Sequence, residues 1–380
     1  MPIESPQSLS ELRARIRAKD DEILRVVAER LELAREIGAI KMQQQLPIKD
    51  DRTEQEVLAH ARRSAKQLGV YTELAEQLTG LLMRYAVIAQ DENFSRAQAL
   101  QFKGHGAKRN ITIVGGFGRM GLWLADFLAE YGHEITLWDL VPAPSGINHK
   151  VAHDFRAAVA AAEVIVLATP ISATADMLQT LTNFQSQALI FDICSLKSPL
   201  LETIDRARSK GLRVASAHPM FGPDAEVLAG RHIVICETGD LRATEECRAL
   251  FAVSTARIVT IPLTEHDRLM GQVLGHSHLC NLVFARAMEH SGIAFEDLSA
   301  VASTTFAAQL QVTRNVSGEN PDLYFEIQHT NTRTAEVMGG IRKALDEYEA
   351  VISGGDRGGF IQLMTSGRHF MGSETAKKRS

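Results

Sequence analysis

Gly116-Phe117-Gly118-Arg119-Met120-Gly121 sets a GxGxxG spacing between a strand-like run, ITIVG, and a helical run, LWLADFLAEYG. Glycines at those places let backbone amides and a helix N-terminus approach a pyrophosphate closely, which side chains would prevent. Asp139 ends the next strand-like run, 18 residues beyond Gly121. A carboxylate there accepts hydrogen bonds from an adenosine ribose and repels a 2′-phosphate, so NAD is expected rather than NADP. In an unrelated α/β protein the same glycines would form a turn and Asp139 would be an ordinary strand end. The matching strand, turn and helix argue against that reading.

Two more segments follow strand-like runs, the place where open parallel sheets present reacting groups. One is Asp192-Ile193-Cys194-Ser195-Leu196-Lys197; the other runs from Ser216 to Asp224 and contains His218 before Pro219. An imidazole can take or share the proton of an alcohol while hydride leaves the same carbon. Ser195 can hydrogen-bond that hydroxyl or support the histidine. A lone histidine is more often structural, but a strand-end position fixed by proline favours catalysis. Cys194, Cys236, Cys247 and Cys280 show no CxxC or other metal spacing, so no metal is expected and the thiols should be reduced.

These groups need a frame, and the chain divides into three zones. From residue 8 to about 95 glycine is nearly absent, and Leu9, Leu12, Ile16, Ile23, Val27, Leu31, Ala34 and Ile37 recur at helical steps. Ser8 or Ser10 can cap this first helix, with Glu11 in its first turn. It should run to about Met42, roughly 50 Å at 1.5 Å per residue. Two shorter helices, Asp51 to Leu68 and Thr72 to about Arg96, cannot cover it, so a second copy of the chain is implied. From 110 to 262, β-branched runs alternate with helical stretches, the pattern of βαβ units and a mostly parallel sheet. Beyond Leu263 helical patterns resume, over roughly 264–290, 296–316 and 321–353. The expected fold class is multidomain: an all-α three-helix module over 1–96, a linker over 97–109, a Rossmann-type α/β domain over 110–262, then an all-α C-terminal dimerisation domain over 263–372. A disordered tail is expected over 373–380.

The chain of 380 residues is 45% hydrophobic, enough for packed cores, and its net charge of −5 argues against a general nucleic-acid binder. Its apolar runs are strand-sized, and the charged N-terminus lacks a signal core, so no membrane partner and a cytoplasmic location are expected.

The segments SLK at Ser195, HPMFGPD at His218 and Glu265-His266-Asp267 opening a long helix resemble prephenate dehydrogenase. The N-terminal module is similar to AroQ-type chorismate mutases, with LRARI, AERLELAREIGAIK and PIKDD where that family keeps its pocket. Essentially residues 8 to 370, in this order, resemble the bifunctional chorismate mutase–prephenate dehydrogenase family of tyrosine biosynthesis. The resemblance implies chorismate and prephenate as substrates, NAD as cofactor, a homodimer, and tyrosine as a feedback inhibitor acting near His218.

For the mutase the resemblance implies Arg13, Arg30, Lys41, Asp50, Glu54 and Gln90 as pocket residues. Chorismate is a dianion whose rearrangement needs no acid, base or metal; fixed donors stabilise charge developing on the ether oxygen. Arginines fork onto carboxylates, while Lys41 and Gln90 would donate to the ether oxygen. Arg30 and Lys41 lie eleven residues apart, about 20° around a helix, whereas Arg13 lies about 100° away, as suits service to the partner's pocket. Thr53 stands where the family keeps an arginine, the arginine here being Arg52, and Ala86 stands where it keeps a serine. These two departures favour the alternative of a non-catalytic dimerising module. For the dehydrogenase, His218 is implied as the hydride-transfer histidine with Ser195 supporting it. His278 is implied as a pocket residue and Arg314 as the grip on the ring carboxylate. Asn281 stands where the family often has a second histidine. A β-hydroxyacid dehydrogenase would instead need a catalytic lysine between Glu265 and Arg286, and none is present there.

Overall fold

A computed structural model describes the backbone over 9–44, 46, 51–103, 108–225, 227–228 and 230–376, with side chains at 51–52, 91–103 and 373–376 left aside. It divides into two compact units, one of 1–169, 181–193 and 207–261, the other of 170–180, 194–206 and 262–380. Residues 170–180 and 194–206, expected within the nucleotide domain, therefore group with the C-terminal helices.

In the first unit, α1 (Leu9–Gln43), α2 (Asp51–Leu68) and α3 (Thr72–Lys103) form the expected helical module. α3 continues past Arg96, so the segment read as a linker begins as helix, a correction to the sequence reading. Ala34 and Gly38 are buried on α1, and Ala89 and Gln90 on α3. A Cβ on Gly38 would lie 2.8 Å from the Gln90 Cα, so glycine lets the two helices meet there. Leu9, Leu12, Ile16, Ile23, Leu33, Ile37 and Ile40 remain exposed along α1.

The same unit carries an eight-stranded sheet in the order β3-β2-β1-β4-β5-β6-β7-β8. Its strands are β1 (Asn110–Val114), β2 (Glu134–Trp138), β3 (Lys150–Val151), β4 (Val164–Leu167), β5 (Leu189–Asp192), β6 (Arg213–Pro219), β7 (His232–Glu237) and β8 (Arg257–Pro262). Strands β3 to β6 in that order pair parallel, while β7 runs antiparallel to β6. β1, β4 and β5 are apolar and almost wholly buried, as sheets covered on both faces require. α4 (Arg119–Glu130) and α8 (Leu241–Phe251) supply Leu124, Leu128, Leu250 and Phe251 to the same core; α5 (Phe155–Ala160) is short. α6 (Ile171–Asn183) and α7 (Leu201–Ser209) each span a boundary between the units.

The second unit continues with α9 (Leu263–Met270), a π-helical turn (Gly271–Gly275) and α10 (His276–His290). Gly271 and Gly275 let this turn lie against Val337, the nearest atoms to their missing Cβ positions including the valine methyls. α11 (Phe295–Ala300), α12 (Thr304–Ser317), α13 (Pro321–Thr330), α14 (Thr334–Ser353) and α15 (Arg357–Ala376) follow. The helices expected over 296–316 and 321–353 are thus each broken in two, at 301–303, where Ser303 caps α12 through its side chain, and at 331–333; Asn320 caps α13 where the second of them was expected to begin. α15 reaches Ala376, so the segment expected to be a disordered tail begins as helix; 377–380 lie outside the described residues.

Candidate active sites

The nucleotide cradle is built from close backbone approaches. Gly115 has φ +77°, and a Cβ there would sit 2.6 Å from the Ala168 carbonyl oxygen. A Cβ on Gly116 would meet Leu137 and the Ile113 carbonyl at 2.9 Å, and one on Gly121 would meet the Gly115 carbonyl at 2.4 Å. α4 begins after Gly118 with no side-chain cap, so no side chain competes for its first-turn amides. Asp139, just beyond β2, accepts from the Phe117 amide at 3.0 Å and the Leu140 amide at 2.7 Å. The turn and the ribose-side carboxylate are therefore locked together, and a dinucleotide fits. Arg119 donates to both Asp224 oxygens, at 2.8 and 2.6 Å. Trp123 donates to the Ala225 carbonyl at 3.1 Å and stacks edge-on with Phe221. This ties the HPMFGPD segment to α4.

His218 sits at the carboxyl end of β6, 4% exposed, paired across from Val234. β5 and β6 are neighbours with Asp192 opposite Ser216; Ser195 follows Asp192 by three residues. Ser195 is half-buried, and Asp192 and Lys197 are buried. A cleft of about 820 Å³ lies at the opposite, amino edge of the strands, but the Arg109, Arg213 and Arg242 guanidiniums there already meet the Glu246 carboxylate. It contains none of the expected catalytic groups.

In the second unit His278, on α10, stacks on Tyr324 of α13 with ring centroids 3.9 Å apart and planes 17° apart. Its Nδ1 is buried without a partner among the described residues, and burial holds its pKa below the ordinary value of 6.5. Burial also raises the Tyr324 phenol, with the Glu319 carboxylate adding to the effect. Asn281 accepts from Gln309 at 2.9 Å and Thr313 at 2.8 Å, and donates to the Ser277 carbonyl at 2.8 Å. The residue that replaces a family histidine thus ties α10 to α12 beside Arg314. Arg314 is exposed, its guanidinium 5.2 Å from the centre of the Phe295 ring. The Tyr324 stack and the Asn281 network were not anticipated, because neither pairing has a local spacing signal.

In the helical module Arg30 donates to the Leu82 carbonyl at 2.8 Å, using one of its five N–H groups. Gln90 is 8% exposed and its Oε1 is buried without a partner among the described residues. Lys41 and Glu54 are half-buried and Arg13 is exposed. Asp50 lies outside the described residues, as does the Arg52 side chain. The structure therefore brings Arg30 and Gln90 onto the α1–α3 contact.

A dinucleotide cradle and a buried strand-end histidine, followed by a helical domain, define a nucleotide-dependent dehydrogenase that carries an extra three-helix module. Three family models match in succession: chorismate mutase type II over 12–91, the nucleotide-binding domain of prephenate dehydrogenase over 132–260 and its dimerization domain over 262–366. The glycine cradle precedes the second of these matches. The chain is 25% identical to the T-protein of Enterobacter agglomerans over 353 residues, covering 93% of this chain and 90% of that one. It is also 25% identical to the T-protein of Haemophilus influenzae, covering 96% and 93%. Among solved structures, a prephenate dehydrogenase from Aquifex aeolicus, in complex with hydroxyphenyl propionate and NAD+, superposes with a TM-score of 0.58 at 18% identity, over 70% of this chain and 98% of that one. A structure described as a putative prephenate dehydrogenase from Corynebacterium glutamicum gives 0.59 at 19%, over 71% and 89%.

The chain belongs to the bifunctional chorismate mutase–prephenate dehydrogenase family. It rearranges chorismate to prephenate and oxidatively decarboxylates prephenate to 4-hydroxyphenylpyruvate with NAD, within tyrosine biosynthesis. Residues 262–366 are its dimerization domain, and among the described residues no helix is long and apolar enough to cross a membrane.

Proposed function

We propose that His218 and Ser195 carry the dehydrogenase chemistry, with His278 and Arg314 holding prephenate. The single observation that supports this reading most is the burial of His218 at the carboxyl end of a parallel strand, within the unit that holds the glycine cradle. Gly116 to Gly121 and Asp139 hold NAD, which when bound accepts the hydride from C4 of prephenate. His218 takes the C4 hydroxyl proton, and Ser195 hydrogen-bonds the same oxygen. Arg314 anchors the ring carboxylate without neutralising it so completely that its departure is hindered. Loss of that carboxylate as CO2 aromatises the ring, and the phenolate oxygen regains a proton. His278, neutral and packed on Tyr324, presents a flat surface and a ring N–H to the substrate.

In the mutase pocket Arg30, with Arg13 from the partner subunit, holds the chorismate carboxylates. Lys41 and Gln90 donate to the ether oxygen, while Asp50, Arg52 and Glu54 meet the ring hydroxyl side. In chain order the division is 1–96 for the mutase, 110–262 for the nucleotide domain and 263–372 for the helical domain, with 170–180 and 194–206, Ser195 among them, grouping with the helices of the second unit. Tyrosine, which carries the phenol of the product, acts as a competing inhibitor near His218. The four free cysteines, one of them exposed, suit a reducing, cytoplasmic compartment.

The test is His218→Asn assayed twice on one preparation. NADH formation from prephenate should fall by at least about 10³-fold, the scale of a lost acid–base group, while chorismate turnover persists. Retained NADH formation would remove His218 from the reaction.

A further inference from the structure

The 3₁₀ turn Ser198–Leu200 leads into α7, and its N-cap residue, Lys197, makes no side-chain capping bond. The exposed amides at the start of a helix need an acceptor from somewhere. Here it comes from a residue seventy positions away. The buried carboxylate of Asp267, on α9, accepts from the Lys197 amide at 2.8 Å through Oδ1 and from the Ser198 amide at 2.6 Å through Oδ2. His266 Nδ1 meets the same Oδ1 at 2.7 Å, and the ring of His266 is fully buried. Burial alone would raise the Asp267 carboxyl, but the bonds from His266, Ser198 and Lys197 outweigh it and hold the pKa at about 2. The group is ionised at any physiological pH. The Asp267 backbone is fixed in turn, its carbonyl accepting from Asn331 Nδ2 at 3.2 Å and from the Gly271 amide.

We propose that Asp267 is a positioning residue for prephenate oxidation, acting as a cap in trans that fixes the Ser195–Ser198 segment and so sets where the Ser195 hydroxyl sits. This rests on the reading of Ser195 as a group that touches the reacting hydroxyl. Two peptide units separate Ser195 from the Lys197 amide, so a shift at Lys197 is passed to Ser195 with little attenuation. A carboxylate suits this place because it offers acceptors only. An asparagine would turn an NH2 group toward one of the two amides, replacing an attraction with a repulsion and pushing the segment away.

The test uses the full-length chain and three variants, Asp267→Asn, Asp267→Glu and Ser195→Ala, with chorismate turnover as an internal control for folding. Asp267→Asn should lower kcat for prephenate roughly 10- to 100-fold, the effect of an ångström-scale misplacement of a reacting group. The KM for NAD and the mutase rate should stay within twofold, and a deuterium at C4 of prephenate should give a larger isotope effect on kcat as hydride transfer becomes more limiting. A purely structural aspartate would lower thermal stability but leave both kcat per folded enzyme and the isotope effect unchanged, and that result would overturn the proposal. If Asp267→Asn does not fold, Asp267→Glu, which keeps the charge and displaces it by one methylene, is read by the same criteria. If Ser195→Ala leaves kcat intact, the reading of Ser195 fails and the proposal with it. If Ser195→Ala lowers kcat and both Asp267 variants do not, the positioning role alone is refuted.

Discussion

Gly38→Ala is a one-carbon change that should separate the two activities of this chain. The new Cβ would lie 2.8 Å from the Cα, 2.9 Å from the Cβ and 3.1 Å from the Cγ of Gln90. Carbon atoms rest at about 3.5–4.0 Å, so roughly 0.7–1.2 Å of separation must appear between α1 and α3. The nearest atom is backbone, so rotating the Gln90 side chain away cannot relieve the contact. Overpacking of this kind costs about 1–3 kcal/mol, set against the roughly 1 kcal/mol that alanine gains over glycine in a helix. Net stability should therefore fall by about 0–2 kcal/mol, and the NADH-forming activity of the same preparation controls for folding. Gln90 is proposed to donate to the ether oxygen as charge develops there, and a misplacement near 1 Å carries about a 10²-fold penalty. The expected result is a 10- to 100-fold fall in kcat for chorismate with KM within a few-fold. Prephenate-dependent NADH formation by the same preparation should be unchanged. Wild-type chorismate turnover in Gly38→Ala would refute the placement of Gln90 in the reaction.

Replacing Asp139 with Asn should raise the KM for NAD about tenfold and admit NADP, because the charge facing a 2′-phosphate is gone; steady-state kinetics with both cofactors checks this. Ala86→Ser restores a hydroxyl one turn before Gln90. One added hydrogen bond of about 1 kcal/mol predicts a roughly fivefold lower KM for chorismate. His278 has a folded pKa below its unfolded value, so the unfolded chain binds the extra proton first as pH falls. Stability is full above about pH 6.5 and declines below it. His278→Asn should flatten that decline in urea titrations between pH 7 and 5, and an unchanged slope would assign it elsewhere, for example to His133, whose pKa is lowered by burial and then by Arg109.

The sequence made the local features legible and left the distant ones hidden. α1 was readable because its apolar residues repeat at helical steps, and the cradle because GxGxxG between a strand and a helix leaves few alternatives. The alternation of β-branched runs and helices was enough for a mostly parallel sheet but not for its strand order. The breaks at Val301–Ser303 and Asn331–Arg333 were missed because helical periodicity persists across them. Ser303, whose side chain caps α12 at the first of these breaks, carries no signal strong enough to override that pattern. The π-helical turn depends on Gly271 and Gly275 meeting Val337, far along the chain. The same holds for Asp267 reaching Lys197, for Asn281 joining Thr313 and for Gly38 admitting Gln90. Each is a tertiary approach that no spacing records. Thr53 and Ala86 were seen as departures from the family, yet the family match to the mutase spans them both.

The most direct measurement is to give the purified chain chorismate and NAD together and follow prephenate, NADH and 4-hydroxyphenylpyruvate in time, for wild type and His218→Asn side by side. The wild type should pass prephenate through a transient and form NADH and 4-hydroxyphenylpyruvate in equal amounts. His218→Asn should accumulate prephenate at the wild-type mutase rate with no NADH. Consumption of chorismate by neither protein, or NADH formation by both, would contradict the account.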